Sequence, residues 1–183
     1  MLDPFPFKPP APLVRVVTPV ANALSLPTLP LHAHEVLCVL ALYTCVAKFF
    51  SPWISNKLVP KAYKNLNKRT RINWDVHVVS FVQSCIINAL SLYVIFCDEE
   101  RKLWRSAPAS AIESGLEGGN GWEMRIWGYD GMSGLLQSFG LGYFLWDLYM
   151  CSRYVHIFGW GMLAHAVSAV TVFSFGFVSL VLW

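Results

Sequence analysis

The sequence predicts an all-α protein, a polytopic helical bundle with about four transmembrane spans. Three observations predict it. The chain is 55% hydrophobic and only 14% charged, whereas soluble domains carry about 25% charged residues. The stretch Val76–Cys97, VHVVSFVQSCIINALSLYVIFC, runs 22 residues without Asp, Glu, Lys or Arg, and about 20 apolar residues of helix cross a bilayer core. Backbone N–H and C=O groups cannot stay unpaired there, so such a segment is helical. Finally, a basic stretch precedes that segment and an acidic one, DEERK, follows it.

Residues 1–30 hold eight of the eleven prolines. Proline removes a donor and fixes φ, so this part is expected to be an extended or disordered arm. It lacks a charged region followed by an apolar run, so it is not a cleavable signal peptide. The first membrane helix is expected to act as the targeting signal.

The first span is placed at about 31–54. Its uncharged centre, Val36–Ala47, is short alone and reaches spanning length if Lys48 snorkels to the interface. His32, His34 and Glu35 stand at its start. His residues two apart do not face the same way on a helix, so they are read as interfacial polar groups, and no metal is expected. The connector 55–75 carries Lys57, Lys61, Lys64, Lys68, Arg69 and Arg71 against one acid, Asp75. A short loop with such an excess stays cytoplasmic and suits anionic lipid headgroups. Part of it is read as an amphipathic surface helix, with Leu58, Tyr63 and Leu66 dipping in.

The second span is 76–97. His77, Ser80, Ser84, Asn88 and Ser91 recur at steps of three and four and share one face, with Gln83 close by. Such a stripe either glues helices by hydrogen bonds or lines a polar path. The connector 98–131 carries Asp98, Glu99, Glu100, Glu113, Glu117, Glu123 and Asp130 among glycines and tryptophans. It is read as a lumenal or outer loop, with Trp104, Trp122, Trp127 and Tyr129 in the interface belt.

The third span is 132–150. Gly134, Ser138 and Gly142 have the small-xxx-small spacing of close helix approach. Gln137, Gly140 and Asp147 line an adjacent face. Asp147 is the one acid in a well-marked span, and a carboxylate there costs several kcal/mol unless paired, hydrated or protonated. It is either a structural partner of Arg153 or a functional group. The fourth span is 157–183, with His165, Ser168 and Ser179 roughly on one face. The topology puts the N-terminus in the lumen. At 1.5 Å per residue, His165 and Ser84 lie at similar depths, with Asp147 shallower, and the three meet if their helices adjoin.

The five cysteines form no CxxC, and no His/Cys spacing fits zinc. They are read as buried thiols. No nucleic-acid motif is visible and no cofactor is expected. The expected partners are membrane lipids, a second copy of the chain, or other membrane proteins.

Two segments together resemble the TLC-domain family, the membrane domain of ceramide synthases and translocating-chain-associated membrane proteins. The first is KRTRINWDVHVVSFVQS, with basic residues, Trp74 and the Val79-Ser80 pair. The second is GLGYFLWDLYM, with Gly142, Tyr143, Phe144, Asp147 and Leu148. The likeness is closest to small fungal or plant-like members and covers about Lys68 onward. It implies a lipid-related membrane protein of the endoplasmic reticulum. The adjacent His pair needed for acyl transfer in ceramide synthases is absent, since His165 is followed by Ala166. Their second acidic motif falls in a later helix, so the chain reads as a C-terminally shortened copy. The resemblance therefore favours a protein that binds lipid, or influences membrane lipid composition, without catalysis. A ceramide-synthase-like acyltransferase using His165 and Asp147 is the alternative, and an insertion or trafficking helper a third. The candidate lipid or polar-path residues are His77, Ser80, Ser84, Asn88, Gln137, Asp147 and His165.

Overall fold

The computed structural model describes residues 3–97 and 129–178. Those residues form helices and turns without a strand. Most of the acidic connector, and the end of the fourth span with Ser179, lie outside the described residues.

The arm is not wholly extended. Ala11–Ala23 forms a helix, α1, with Pro10 as its N-cap and a second proline just inside. Proline in a first turn sacrifices an N–H that would have no helical partner anyway. Pro19 lies within the helix, at the cost of one backbone bond. What the expectation of disorder missed was the apolar face around it. Val17 and the buried Ala21 pack with Leu26, Val36, Leu141 and Phe177. At 1.5 Å per residue α1 is about 20 Å long, too short to cross a bilayer core. Ser25, at φ 55, turns the chain into the next helix.

That helix runs unbroken from Leu29 to Leu58. It consists of α2 (Leu29–Cys45), a π-helical turn (Val46–Phe50) and α3 (Ser51–Leu58). Pro52 explains the π turn. Its ring clashes with the carbonyl four residues earlier in a regular α-helix. The wider turn, with Ser51 N–H bonded to Val46 O, relieves the clash.

A short helix, α4 (Pro60–Lys64), leads to α5 (Lys68–Cys97). Asn67 caps α5 by accepting from Thr70 N–H at 2.9 Å. The connector is knotted by polar bonds rather than lying loose. Asp75 accepts from Ser51 Oγ at 2.6 Å and from Tyr63 OH at 2.9 Å. Trp74 Nε1 donates to Ser55 Oγ at 2.9 Å. Arg71 sits 5.1 Å over the Tyr63 ring and donates to the Tyr63 and Lys64 carbonyls. Tyr63, expected to dip into lipid, is buried in this knot.

Burial, and then the bond to Asp75, push the Tyr63 phenol up to about 12. A raised phenol favours the fold while it stays protonated. Its contribution is therefore complete below pH 10, the ordinary value, and is lost as pH rises from 10 towards 12. The melting-temperature gap between the wild type and Tyr63→Phe is expected to stay constant up to pH 10 and to narrow above it. A gap that narrows below pH 9 would contradict this.

The third long helix, α6 (Gly131–Arg153), is the centre of the bundle. Asp130 caps it by accepting from Ser133 N–H at 2.9 Å. A short α7 (Val155–Phe158) follows, then Gly159, whose φ of 83° suits glycine, then α8 (Trp160–Ser174) and a 3₁₀ turn (Phe175–Phe177).

Among the described residues, three helices are long and apolar enough to cross a membrane: Leu29–Leu58, Lys68–Cys97 and Trp160–Phe177. The α6 helix is long enough, at 23 residues or about 35 Å, but is not among them. It packs against α2, α5 and α8. A helix surrounded by protein can carry glycine, serine and aspartate in place of an apolar surface.

Small residues set its spacing. A Cβ added at Gly142 would lie 2.7 Å from Val39 Cγ1 and 2.9 Å from the Val36 carbonyl oxygen. At Gly134 it would fall on the His32 ring. Ser138 is buried and bonds back to the Gly134 carbonyl at 2.9 Å. The small-xxx-small pattern is thus the α2–α6 contact.

Candidate functional site

Between α2 with its π turn, α5 and α6 lies a cavity of about 420 Å³. Its walls come from Leu40 and Ala47, from Ile72 and Val76, and from Trp146 and Met150. Lys48, Asp75, Tyr149 and Tyr154 also line it, with Thr44, so charged and hydroxyl groups share the cavity with an apolar interior. Ligand sites commonly measure 300–1,000 Å³ with mostly apolar walls and a few polar groups. The π turn matters locally because it supplies both Ala47 and Lys48. Such turns are frequent at functional sites.

Bonds between the helices brace the region beside the cavity. Tyr43 OH donates to Gln83 Oε1. Ser80 Oγ and Tyr143 OH are paired at 2.9 Å. The Tyr43 and Tyr143 rings meet edge to face at 5.6 Å, and Tyr143 stacks on Trp146. Apolar contacts of Val39, Val46, Val79 and Trp146 fill the space around them.

The residues of the expected polar path do not form one path. His77, Ser84 and Asn88 are exposed on the outer face of α5. His77 bonds back to the Asn73 carbonyl at 2.8 Å and Asn88 to the Ser84 carbonyl at 2.7 Å. Polar groups on a lipid-facing helix satisfy themselves on the preceding turn in this way. The inward face carries Val79 and Gln83 instead, and Ser80 is used for helix–helix bonding. Gln137 donates to the Phe173 carbonyl and packs on Gly176, tying α6 to the end of α8. Asp147 is buried and accepts from Cys151 Sγ at 3.8 Å. His165 is exposed on α8 but lies within electrostatic reach of Asp147. Ser84 makes no described contact with either. Of the cysteines, Cys151 alone is buried.

In the connector, Lys57 lies 5.5 Å over the Trp53 ring and Arg69 approaches the Ile157 carbonyl at 3.5 Å. Lys61, Lys64 and Lys68 are exposed. The cavity itself was not legible in the sequence, because its walls come from three segments whose adjacency no spacing reveals.

At the opposite end of the bundle, His32, His34 and Glu35 are buried instead of lying at an interface. Tyr129 joins them through a bond to His32 Nε2. Burial, with the Asp3, Glu35 and Asp130 charges nearby, holds the Tyr129 phenol up at about 12.

The family model described as the TLC domain, shared by TRAM, LAG1 and CLN8 proteins, matches residues 73–182. The chain belongs to the TLC-domain family. An uncharacterized TLC domain-containing protein of Schizosaccharomyces pombe is 34% identical over 168 residues, covering 92% of this chain and 50% of that one. Topoisomerase I damage affected protein 4 of Saccharomyces cerevisiae is 23% identical over 142 residues, covering 77% and 43%. The chain therefore spans about half the length of the curated relatives it matches. No solved structure matches. The match to the TLC domain covers most of α5 and all of α6, α7 and α8, while α1 to α4 precede it.

Proposed function

We propose that this TLC-domain protein seats the acyl part of a membrane lipid between α2, α5 and α6, and so influences membrane lipid composition without catalysis. The observation that carries this reading is the cavity, with its apolar walls and its polar groups from Lys48, Asp75 and the two tyrosines. An amphipathic molecule with a chain and a polar head suits that mixture. The lysine-rich connector adjoins the same end of the bundle. On this reading it faces the cytosol, beside anionic headgroups, where each lysine contributes about 1 kcal/mol to surface attraction. The N-terminus then lies in the lumen, with the endoplasmic reticulum as the expected compartment.

Ala47→Trp is the direct test, because an indole there fills the cavity. Lipid extracted from the purified variant is expected to lose the species that copurifies with the wild type. An unchanged lipid profile would count against the proposal.

A second reading, acyl transfer, draws on the electrostatic interaction of His165 with the buried Asp147. It requires a lipid product that disappears in His165→Ala while the protein remains folded. The seating reading expects His165→Ala to copurify the same lipid as the wild type.

A further inference from the structure

Three potential metal-ligating groups meet where the arm joins the start of α2. Asp3, His32 and Glu35 each offer one ligand atom, and these atoms all lie within 4.8 Å of one another. His32 Nδ1 is 2.8 Å from Glu35 Oε1 and 3.8 Å from Asp3 Oδ2. Ligands held at 2.0–2.2 Å in a tetrahedron stand about 3.4 Å apart, so these distances bracket the required spacing.

A second observation points the same way. Glu35 is fully buried, yet its Oε2 has no hydrogen-bond partner among the described residues. The Asp3 carboxylate lies beside it. Two carboxylates and an imidazole are thus packed together, with one buried carboxylate oxygen unsatisfied. The outer half of His32 is also arranged as in a metal-bound histidine, since its Nε2 is tied to Tyr129 OH. Ligating histidines usually bond through the other ring nitrogen in this way, which fixes the tautomer and the ring orientation.

The surrounding backbone holds the donors in place. A Cβ at Gly134 would fall on the His32 ring, and one at Gly131 would lie 2.6 Å from Asp3 Cα. Glycine at both positions lets the two donors settle against the first turn of α6. His34 bonds the Phe7 carbonyl through Nε2 at 2.8 Å, and the same nitrogen stands 3.9 Å from Glu35 Oε1.

We infer that Asp3, His32 and Glu35 bind a divalent transition-metal ion of the zinc type, stapling the N-terminal arm to α2 and α6. Imidazole with two carboxylates fits that class, and three protein ligands leave one position open. The site is separate from the lipid cavity and stands whether or not that cavity holds lipid. The histidine spacing concealed it, because the partners of His32 are three residues ahead and at the far end of the arm.

The test uses the full chain in detergent, without a polyhistidine tag, stripped with chelator and titrated with Zn²⁺ alone. One ion per chain is expected. Asp3→Asn is expected to weaken binding at least tenfold, and Glu35→Gln at least a hundredfold. His77→Gln, on the exposed face of α5, is the control and should bind as the wild type does. Asp3 is one-third exposed, so its variant keeps the fold and decides the matter should Glu35→Gln fail to fold. No uptake by the wild type, or uptake by Asp3→Asn equal to the wild type, would overturn the assignment.

Discussion

Gly142→Leu is expected to separate α2 from α6 and to cost more stability than any substitution on the outer faces. The Cβ alone would meet Val39 Cγ1 at 2.7 Å and the Val36 carbonyl oxygen at 2.9 Å. A side chain can rotate away, but a helical carbonyl cannot. The helices must therefore part along their length, and the contacts of Val36, Val39 and Leu141 loosen together. Overpacking a tight core costs about 1–3 kcal/mol, and leucine adds three more carbons, so a loss at the upper end or beyond is expected. Gly161 is the control, because a Cβ there meets nothing within 4 Å. Thermal melting in detergent should fall steeply for Gly142→Leu and hardly move for Gly161→Ala. Equal melting of the two would remove the close helix pair from the account.

Trp146→Ala is the second large effect. Trp146 is 2% exposed, packs with Val39, Tyr43, Val46 and Val79, and stacks on Tyr143. Truncating a buried tryptophan costs about 3–5 kcal/mol in soluble cores. Within a membrane bundle the cost is lost packing rather than exposure to water, because lipid tails are as apolar as the core. The substitution also removes a wall of the cavity proposed to seat lipid. Lower stability is therefore expected together with a broader set of copurifying lipids. Trp146→Phe keeps a ring against Tyr143 and should retain most of both properties. A Trp146→Ala protein that melts as the wild type does would show that this packing contributes little.

The membrane class of the fold was legible in the sequence because hydrocarbon imposes a simple rule on composition. Val76–Cys97 obeys that rule alone, and the structure places it inside the 30-residue helix Lys68–Cys97. The close approach at Gly134 and Gly142 was legible too, since only small residues permit it. Elsewhere local rules were overridden by contacts distant in sequence. Prolines argued against α1, yet Ala21 and Val17 found partners on α2, α6 and the 3₁₀ turn. The polar stripe of α5 looked like an inward face, but His77 and Asn88 close on their own backbone, leaving Ser80 to pair with Tyr143 and Gln83 to turn inward. Likewise, HAHE was discounted because His32 and His34 diverge. Yet both approach Glu35, and Asp3 reaches His32 from the arm. Such long-range meetings leave no periodicity behind.

Lipid is proposed to occupy the space between α2, α5 and α6, and a photoactivatable fatty acid built into phospholipid tests this most directly. After reconstitution and illumination, peptides carrying the label are mapped by mass spectrometry. Labels concentrated on Ala47, Val76, Trp146 and Met150, and lost in Ala47→Trp, are the expected result. Labels confined to the outer face of α5, at Phe81, Ser84 and Asn88, with none inside the cavity, would contradict it.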